Sequence, residues 1–167
     1  LKNNKIIMQK NDIEGQIIIK GENVTKGYLN NEKANNESFY EGWFLTGDEG
    51  IFDKEGYLRI SGRIKEIINR GGEKISPKEI DEVLMDHDDV QQAVAFSVPH
   101  EKLGEDIAAA VVLKESRTCT EKELRDYCIK KLTKYKIPRK ILIIDSIPKG
   151  PTGKLQRIGL AEKLGIK

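Results

Sequence analysis

The chain is 167 residues long, enough for one ordinary domain or for a small domain with a piece of another. Apolar residues make up 38% and charged residues 34%, with 29 basic side chains against 27 acidic ones, which excludes a histone-like polycation and a wholly disordered acidic chain. No apolar run approaches the ~18 residues of a membrane span, and no signal-peptide hydrophobic region opens the chain.

In chain order, the start at Leu1-Lys2-Asn3-Asn4 reads like a cut inside a longer chain. The first third carries β signals. Gln16–Lys20 is a short apolar strand closed by Gly21, and Asn30 to Asn36 is polar with a short helix expected. Trp43-Phe44-Leu45, Ile51-Phe52 and Tyr57–Ile60 are short strands, punctuated by Gly47-Asp48 and by the hairpin turn Asp53-Lys54-Glu55-Gly56. After Arg63 the pattern changes. Gly71-Gly72 permits a tight turn or a close backbone approach. Ser76-Pro77-Lys78-Glu79 opens a helix, with Ser as N-cap, Pro at the first position and Glu closing a capping box, and Ile80, Val83 and Leu84 form its apolar stripe. Val90–Val98 is a strand ended by Pro99, and Ile107–Leu113 is a second strand too apolar to be fully exposed. Thr120-Glu121-Lys122-Glu123 is a further capping box, and Leu124, Tyr127, Cys128 and Leu132 share one face of the helix it opens. The stretch up to Pro138 ends that helix, Ile141–Ile144 is a third strand, Pro148–Gly153 a loop and Arg157–Leu164 a last short helix.

The order of elements predicts an α+β chain: an incomplete small antiparallel β subdomain over residues 1–62, then a compact α+β domain over 63–167 with a short sheet flanked by helices. Charge divides unevenly, net −2 over residues 1–62, −5 over 63–129 and +9 over 130–167. A basic last quarter suits a polyanionic partner such as a nucleotide, a coenzyme or a nucleic acid, and equally a solvated lysine-rich surface.

Three places could carry chemistry. Thr46-Gly47-Asp48 is a turn whose carboxylate could accept both hydroxyls of a ribose; read locally, it is a turn at a strand end. In Gly62-Arg63-Ile64-Lys65 followed by Gly71-Gly72-Glu73-Lys74, the arginine could bind phosphate and the glycine pair could leave room for a thin chain; read locally, this is a loop before a capped helix. Pro148-Lys149-Gly150-Pro151-Thr152-Gly153-Lys154-Leu155-Gln156-Arg157 holds a lysine on a loop stiffened by proline and glycine, and that ammonium suits phosphate and carboxylate oxygens; read locally, it is a surface hairpin. The last is not a Walker loop: the glycine spacing is wrong, and Leu155 stands where a magnesium-binding hydroxyl is needed. His87 and His100 have no partner at ligand spacing and read as structural, so no metal ligand is assigned. Cys119 and Cys128 form no CxxC and read as reduced, idle thiols.

Taken together and in order, Gly27-Tyr28-Leu29-Asn30, Gly42–Asp48, Asp53–Tyr57, Gly62–Ile68, Gly71–Ile75, Glu79-Ile80 and Pro148–Arg157 resemble the adenylate-forming superfamily of acyl-CoA synthetases, peptide-synthetase adenylation domains and beetle luciferases. The resemblance runs from about Gly15 to the end of the chain and covers only the C-terminal third of such an enzyme. It implies that residues 1–62 are the tail of the large N-terminal domain, its β-barrel subdomain, and that residues 63–167 are the mobile C-terminal lid. The family's Ser/Thr/Gly-rich phosphate loop and its aromatic-Gly-x-Thr-Glu segment do not occur here, and the acyl pocket and the glutamate that holds Mg2+ go with them.

The family converts a carboxylic acid and ATP to an acyl-adenylate and pyrophosphate, then passes the acyl group to a thiol such as coenzyme A. By resemblance, Asp48 binds the ribose hydroxyls, Arg63 contacts the nucleotide, Lys65 is the hinge, Lys154 bridges the substrate carboxylate and α-phosphate, and Gly71, Gly72 and Lys74 line the path of the pantetheine arm. Asn69 stands where luciferases and some others have a second lysine, and Thr152-Gly153-Lys154-Leu155-Gln156-Arg157 is closer to acyl-CoA synthetases than to peptide-synthetase modules. The resemblance therefore implies an acid–CoA ligase, inactive as this portion alone, with its own N-terminal domain, ATP, the acid and coenzyme A as partners. Transfer to a carrier-protein thiol is the alternative within the family, and a basic nucleic-acid-binding module the alternative outside it. The absence of aromatic residues after Tyr135 counts against base stacking. No membrane span and a cytoplasmic place are expected.

Overall fold

The computed structural model describes residues 12–150 and 153–166. These fall into two compact units divided between Lys65 and Glu66.

The first unit is built on a four-stranded antiparallel sheet. Strand β1 (Gly15–Ile19) and, beyond helix α1 (Glu32–Ser38), the two-residue β2 (Phe39–Tyr40) flank the long β3 (Trp43–Phe52), which also pairs with β4 (Leu58–Arg63). Asn31 caps α1 by accepting from the Ala34 amide at 3.0 Å. The Asp53–Gly56 turn forms as the sequence predicts: Gly56 N–H reaches Asp53 O at 3.1 Å, and the Asp53 carboxylate accepts from the amides of Glu55 and Tyr57 at 2.9 Å each. The sheet does not close into a barrel among the described residues. One reading changes. Gly47-Asp48 does not separate two short strands; β3 runs through it as a ten-residue strand. The Thr46 hydroxyl donates to Ile17 O at 2.7 Å and accepts from the Asp48 amide at 3.0 Å, absorbing the local kink while pairing continues on both sides.

In the second unit, β5 (Ile68–Arg70) and β6 (Glu73–Ile75) form a tight hairpin. Gly71 and Gly72 make its turn with φ of +61° and +93°, left-handed values that a side chain would strain. Helix α2 (Pro77–Met85) leads to β7 (Val90–His100), whose partner β8 (Gly104–Leu113) is antiparallel to it. Helix α3 (Glu121–Lys131) then crosses over to β9 (Lys140–Ile143), parallel to β8, and α4 (Leu160–Lys163) ends the described chain. β7 and β8 are apolar on both faces because both faces are covered. Ala93, Ala95, Ile107, Ala109 and Val111 pack with Ile80 and Leu84 of α2 and Leu124 and Cys128 of α3. The alternate residues Val94, Phe96, Val98, Ala108, Ala110 and Val112 pack with Ile147 and Leu160 on the other side.

Four boundaries differ from the sequence reading. Pro99 does not end β7, which reaches His100; β7 lies at the edge of its sheet, where a missing N–H costs no ladder bond. The α2 capping box does not form: Ser76 takes the N-cap position without a side-chain cap bond, and both Glu79 oxygens accept from Lys136 Nζ, at 2.9 and 2.6 Å. Helix α3 stops at Lys131, well before Pro138, with Leu132 already extended. The last helix begins at Leu160, not Arg157, leaving Arg157 in the preceding loop.

Candidate functional site

In the first unit the strand register brings Asp48 and Arg63 opposite each other. Arg63 Nε lies 2.8 Å from Asp48 Oδ1; the arginine is largely exposed and the aspartate half-buried. A carboxylate held this way keeps a second oxygen for diol hydroxyls, and the guanidinium beside it offers further N–H groups to a phosphate. Lys65 is exposed on a single 3-10 turn, Ile64–Glu66, at the division between the units.

In the second unit the hairpin β5–β6 presents the glycine pair at its tip, with Asn69 directly across from Lys74. The turn is fastened on both sides: Asn69 Oδ1 accepts from the Gly72 amide at 3.2 Å, and the Gly71 amide donates to Leu103 O at 2.9 Å. Among the described residues, nothing beyond its chain neighbours lies within 4 Å of the place a Gly72 Cβ would occupy, so that side of the turn is open, whereas a Gly71 Cβ would come within 3.0 Å of Leu103. Beside the turn, Arg70 ties the hairpin to β8, its Nε donating to Asp106 Oδ1 at 2.7 Å. Burial alone would push the Asp106 carboxyl up, but Arg70, the Ile107 amide and nearby His100 pull it below the usual range.

Lys154 is exposed on a loop that closes on itself. Gly150 N–H donates to Lys154 O at 2.8 Å, and Lys149 bridges to Leu155 across the loop. Pro151 and Thr152, part of the same predicted motif, lie outside the described residues. Just beyond, the Arg157 guanidinium is half-buried. It donates through Nε to Glu66 at 3.0 Å, through NH1 to Asp81 Oδ1 at 3.2 Å and to the carbonyl of Ala95, and through NH2 to Asp81 Oδ2 at 2.8 Å. Sequence reading placed Arg157 inside a motif but gave it no partner. Glu66 and Asp81 lie 91 and 76 residues away, and only the fold brings them together.

The fold also gathers side chains that looked unrelated. His87, Asp89 and Cys119 offer ligand atoms within 4.8 Å of one another, the one such trio among the described residues. Each already has a local bond: His87 Nδ1 accepts from the Asp89 amide, Asp89 faces Arg117 at 3.5 Å, and the Cys119 thiol reaches Thr120 O at 3.7 Å. Burial, with Glu123 and Asp89 nearby, pushes the Cys119 thiol up. Burial alone pushes Cys128 up to about 11, so neither thiol is an activated nucleophile.

Comparison with known proteins gives a consistent picture. Residues 79–154 match the model of the AMP-binding enzyme C-terminal domain. Oxalate–CoA ligase of Arabidopsis thaliana is 52% identical over 155 residues, covering 93% of this chain and 30% of that protein. Among solved structures, o-succinylbenzoate CoA synthetase of Bacillus subtilis in complex with its acyl-adenylate intermediate has a TM-score of 0.82 at 40% identity, over 89% of this chain and 30% of the other. ATP-bound MatB of Rhodopseudomonas palustris has a TM-score of 0.85 at 33% identity, over 93% and 31%. The chain thus spans about 30% of the length of the relatives it matches.

Proposed function

The chain belongs to the adenylate-forming superfamily, whose C-terminal portion it matches, and from that premise we propose that it is the C-terminal portion of an ATP-dependent, AMP-forming acid–CoA ligase. In the first half-reaction the acid's carboxylate attacks the α-phosphate of ATP, forming acyl-adenylate and releasing pyrophosphate. In the second, the coenzyme A thiol attacks the acyl carbon, giving the thioester and AMP.

Lys154 serves the first step. Negative charge gathers on the α-phosphate as the carboxylate attacks, and a preplaced ammonium stabilises that state more than the separate reactants. The observation that carries this reading is the exposed Lys154 on its closed loop, within the residues that match the family. Asp48 accepts the ribose hydroxyls and Arg63 contacts the nucleotide, which their 2.8 Å pairing on adjacent strands suits. Lys65, exposed at the division of the units, is the hinge, where a few residues absorb a dihedral change. The open side of Gly72, with Gly71 and Lys74 beside it, admits the pantetheine arm. As the resemblance implies, we place the Mg2+ site upstream, with the acyl pocket.

Residues 1–62 are then the end of the large domain and residues 63–167 the lid, with the two compact units dividing three residues later, after Lys65. The relatives compared above act on acids as different as oxalate and o-succinylbenzoate, which supports a C-terminal portion that carries the common chemistry rather than acid selectivity. Their names also favour coenzyme A over a carrier protein as acceptor.

The test is Lys154→Ala in the complete enzyme. Carboxylate-dependent ATP–pyrophosphate exchange should fall by ~10²–10³, while thioester formation from supplied acyl-adenylate stays within a few-fold. Equal loss of both steps would assign Lys154 to folding and overturn the reading.

A further inference from the structure

We propose that Arg157 is a positioning residue that ties the Lys154 loop to the start of the lid, so that the ammonium is delivered by a rigid body rather than by a flexible loop. The inference rests on the adenylation role of Lys154 proposed above and adds a residue to which that role gave no part.

Among the described residues, the chain between β9 and α4 has no regular element of its own beyond the Lys149–Leu155 bridge. Something else must hold it. Arg157 does so by an unusual set of bonds for a loop arginine. Its side chain is 15% exposed, and every guanidinium nitrogen has an acceptor. Asp81 on α2 takes a bidentate pair, the central β7 residue Ala95 takes another bond through its carbonyl, and Glu66 takes the last. Asp81 is fixed in turn by the Ala95 amide at 2.5 Å. One planar cation therefore joins a helix, a strand and the first residue after Lys65.

Lys154 stands three residues from this anchor, and three residues of chain reach at most ~10 Å. The loop's own closure through Gly150 and Leu155 shortens that freedom further. A displacement of ~1 Å in a group that stabilises a transition state can cost ~10²-fold in rate, so the anchor matters to the step that uses Lys154. A step that uses the lid's glycine hairpin depends less on this anchor, because the hairpin tip has ties of its own, Arg70 to Asp106 and the Gly71 amide to Leu103 O.

The experiment compares Arg157→Lys, Glu66→Gln and Lys154→Ala in the longer protein that carries this chain, each measured for pyrophosphate exchange and for thioester formation from supplied acyl-adenylate. Lysine keeps the charge at position 157 but cannot hold three acceptors in a plane. Glu66→Gln leaves the Asp81 pair intact and guards against a variant that merely fails to fold. Arg157→Lys should lower exchange ~10–10²-fold through kcat, with thioester formation within threefold, and Glu66→Gln should shift the same ratio in the same direction by less. Thioester formation falling in parallel with exchange, or exchange unchanged in both variants while Lys154→Ala remains selectively dead, would overturn the positioning role and leave the role of Lys154 standing. Unimpaired exchange in Lys154→Ala would instead sink the proposed function, and this inference with it.

Discussion

Asp81 and Asp106 are both buried against the same sheet, 7% and 2% exposed, and both face an arginine, yet their carboxyls move in opposite directions. At Asp81 the loss of water dominates and pushes the carboxyl up; Arg157 and the Ala95 amide pull it down, and the negative charge of Glu66 adds to the upward push. At Asp106 burial also acts upward, but Arg70, the Ile107 amide and His100 together outweigh it, and the carboxyl ends below its ordinary 3.8. The sign of its linkage follows. A carboxyl lowered on folding adds stability that is present above its ordinary range and is lost as pH falls through the folded value. Asp106→Asn should therefore cost about 1.5–3 kcal/mol near pH 7, as expected for a charge-assisted bond, and the difference from the parent should shrink as pH falls below 3.8. Urea midpoints of the two proteins between pH 7 and pH 3 measure this; a constant gap across that range would mean the Arg70–Asp106 pair contributes packing alone.

Two helices with the same opening pattern end differently, and the contrast shows what a sequence reveals at this scale. Thr120 accepts from the Glu123 amide at 3.3 Å while Glu123 accepts from the Thr120 amide at 2.8 Å, the reciprocal box that the spacing predicts. At Ser76 the same spacing fails because Glu79 is taken by Lys136, 57 residues on. Local rules hold where no distant partner competes. Likewise Gly47 reads as punctuation in the sequence but lies within β3, whose neighbours on either side carry the pairing past the kink. The strands with strong apolar runs and the Gly71-Gly72 turn are legible, since each depends on residues close in sequence, whereas the short strands β5 and β6 on either side of that turn are not. Thr120→Ala should remove the box and destabilise the second unit by about 1 kcal/mol, seen as a lower urea midpoint of the protein. An unchanged midpoint would mean that α3 is held by Leu124 and Cys128 against the sheet and owes little to its cap.

At the scale of the whole molecule, the ordered motifs made the family legible, but only the fold shows how site residues are held. Asp48 and Arg63 needed a strand register to become a pair, and Arg157 needed partners 62 to 91 residues away. Such long-range meetings leave no local spacing to read. What the proposed reaction needs is also divided. The described residues supply the exposed ammonium of Lys154, a carboxylate–guanidinium pair and a glycine turn. None of these orients a carboxylic acid against an α-phosphate, and orientation is worth ~7–11 kcal/mol of barrier. The 167-residue chain alone should therefore catalyse no carboxylate-dependent ATP–pyrophosphate exchange above buffer, whatever acid is supplied, whereas the longer protein should catalyse it with its own acid. The measurement is labelled pyrophosphate appearing in ATP, with and without acid. Exchange by the chain alone would put the acyl pocket within these residues and remove the reason for assigning Lys154 to a site completed by an upstream domain.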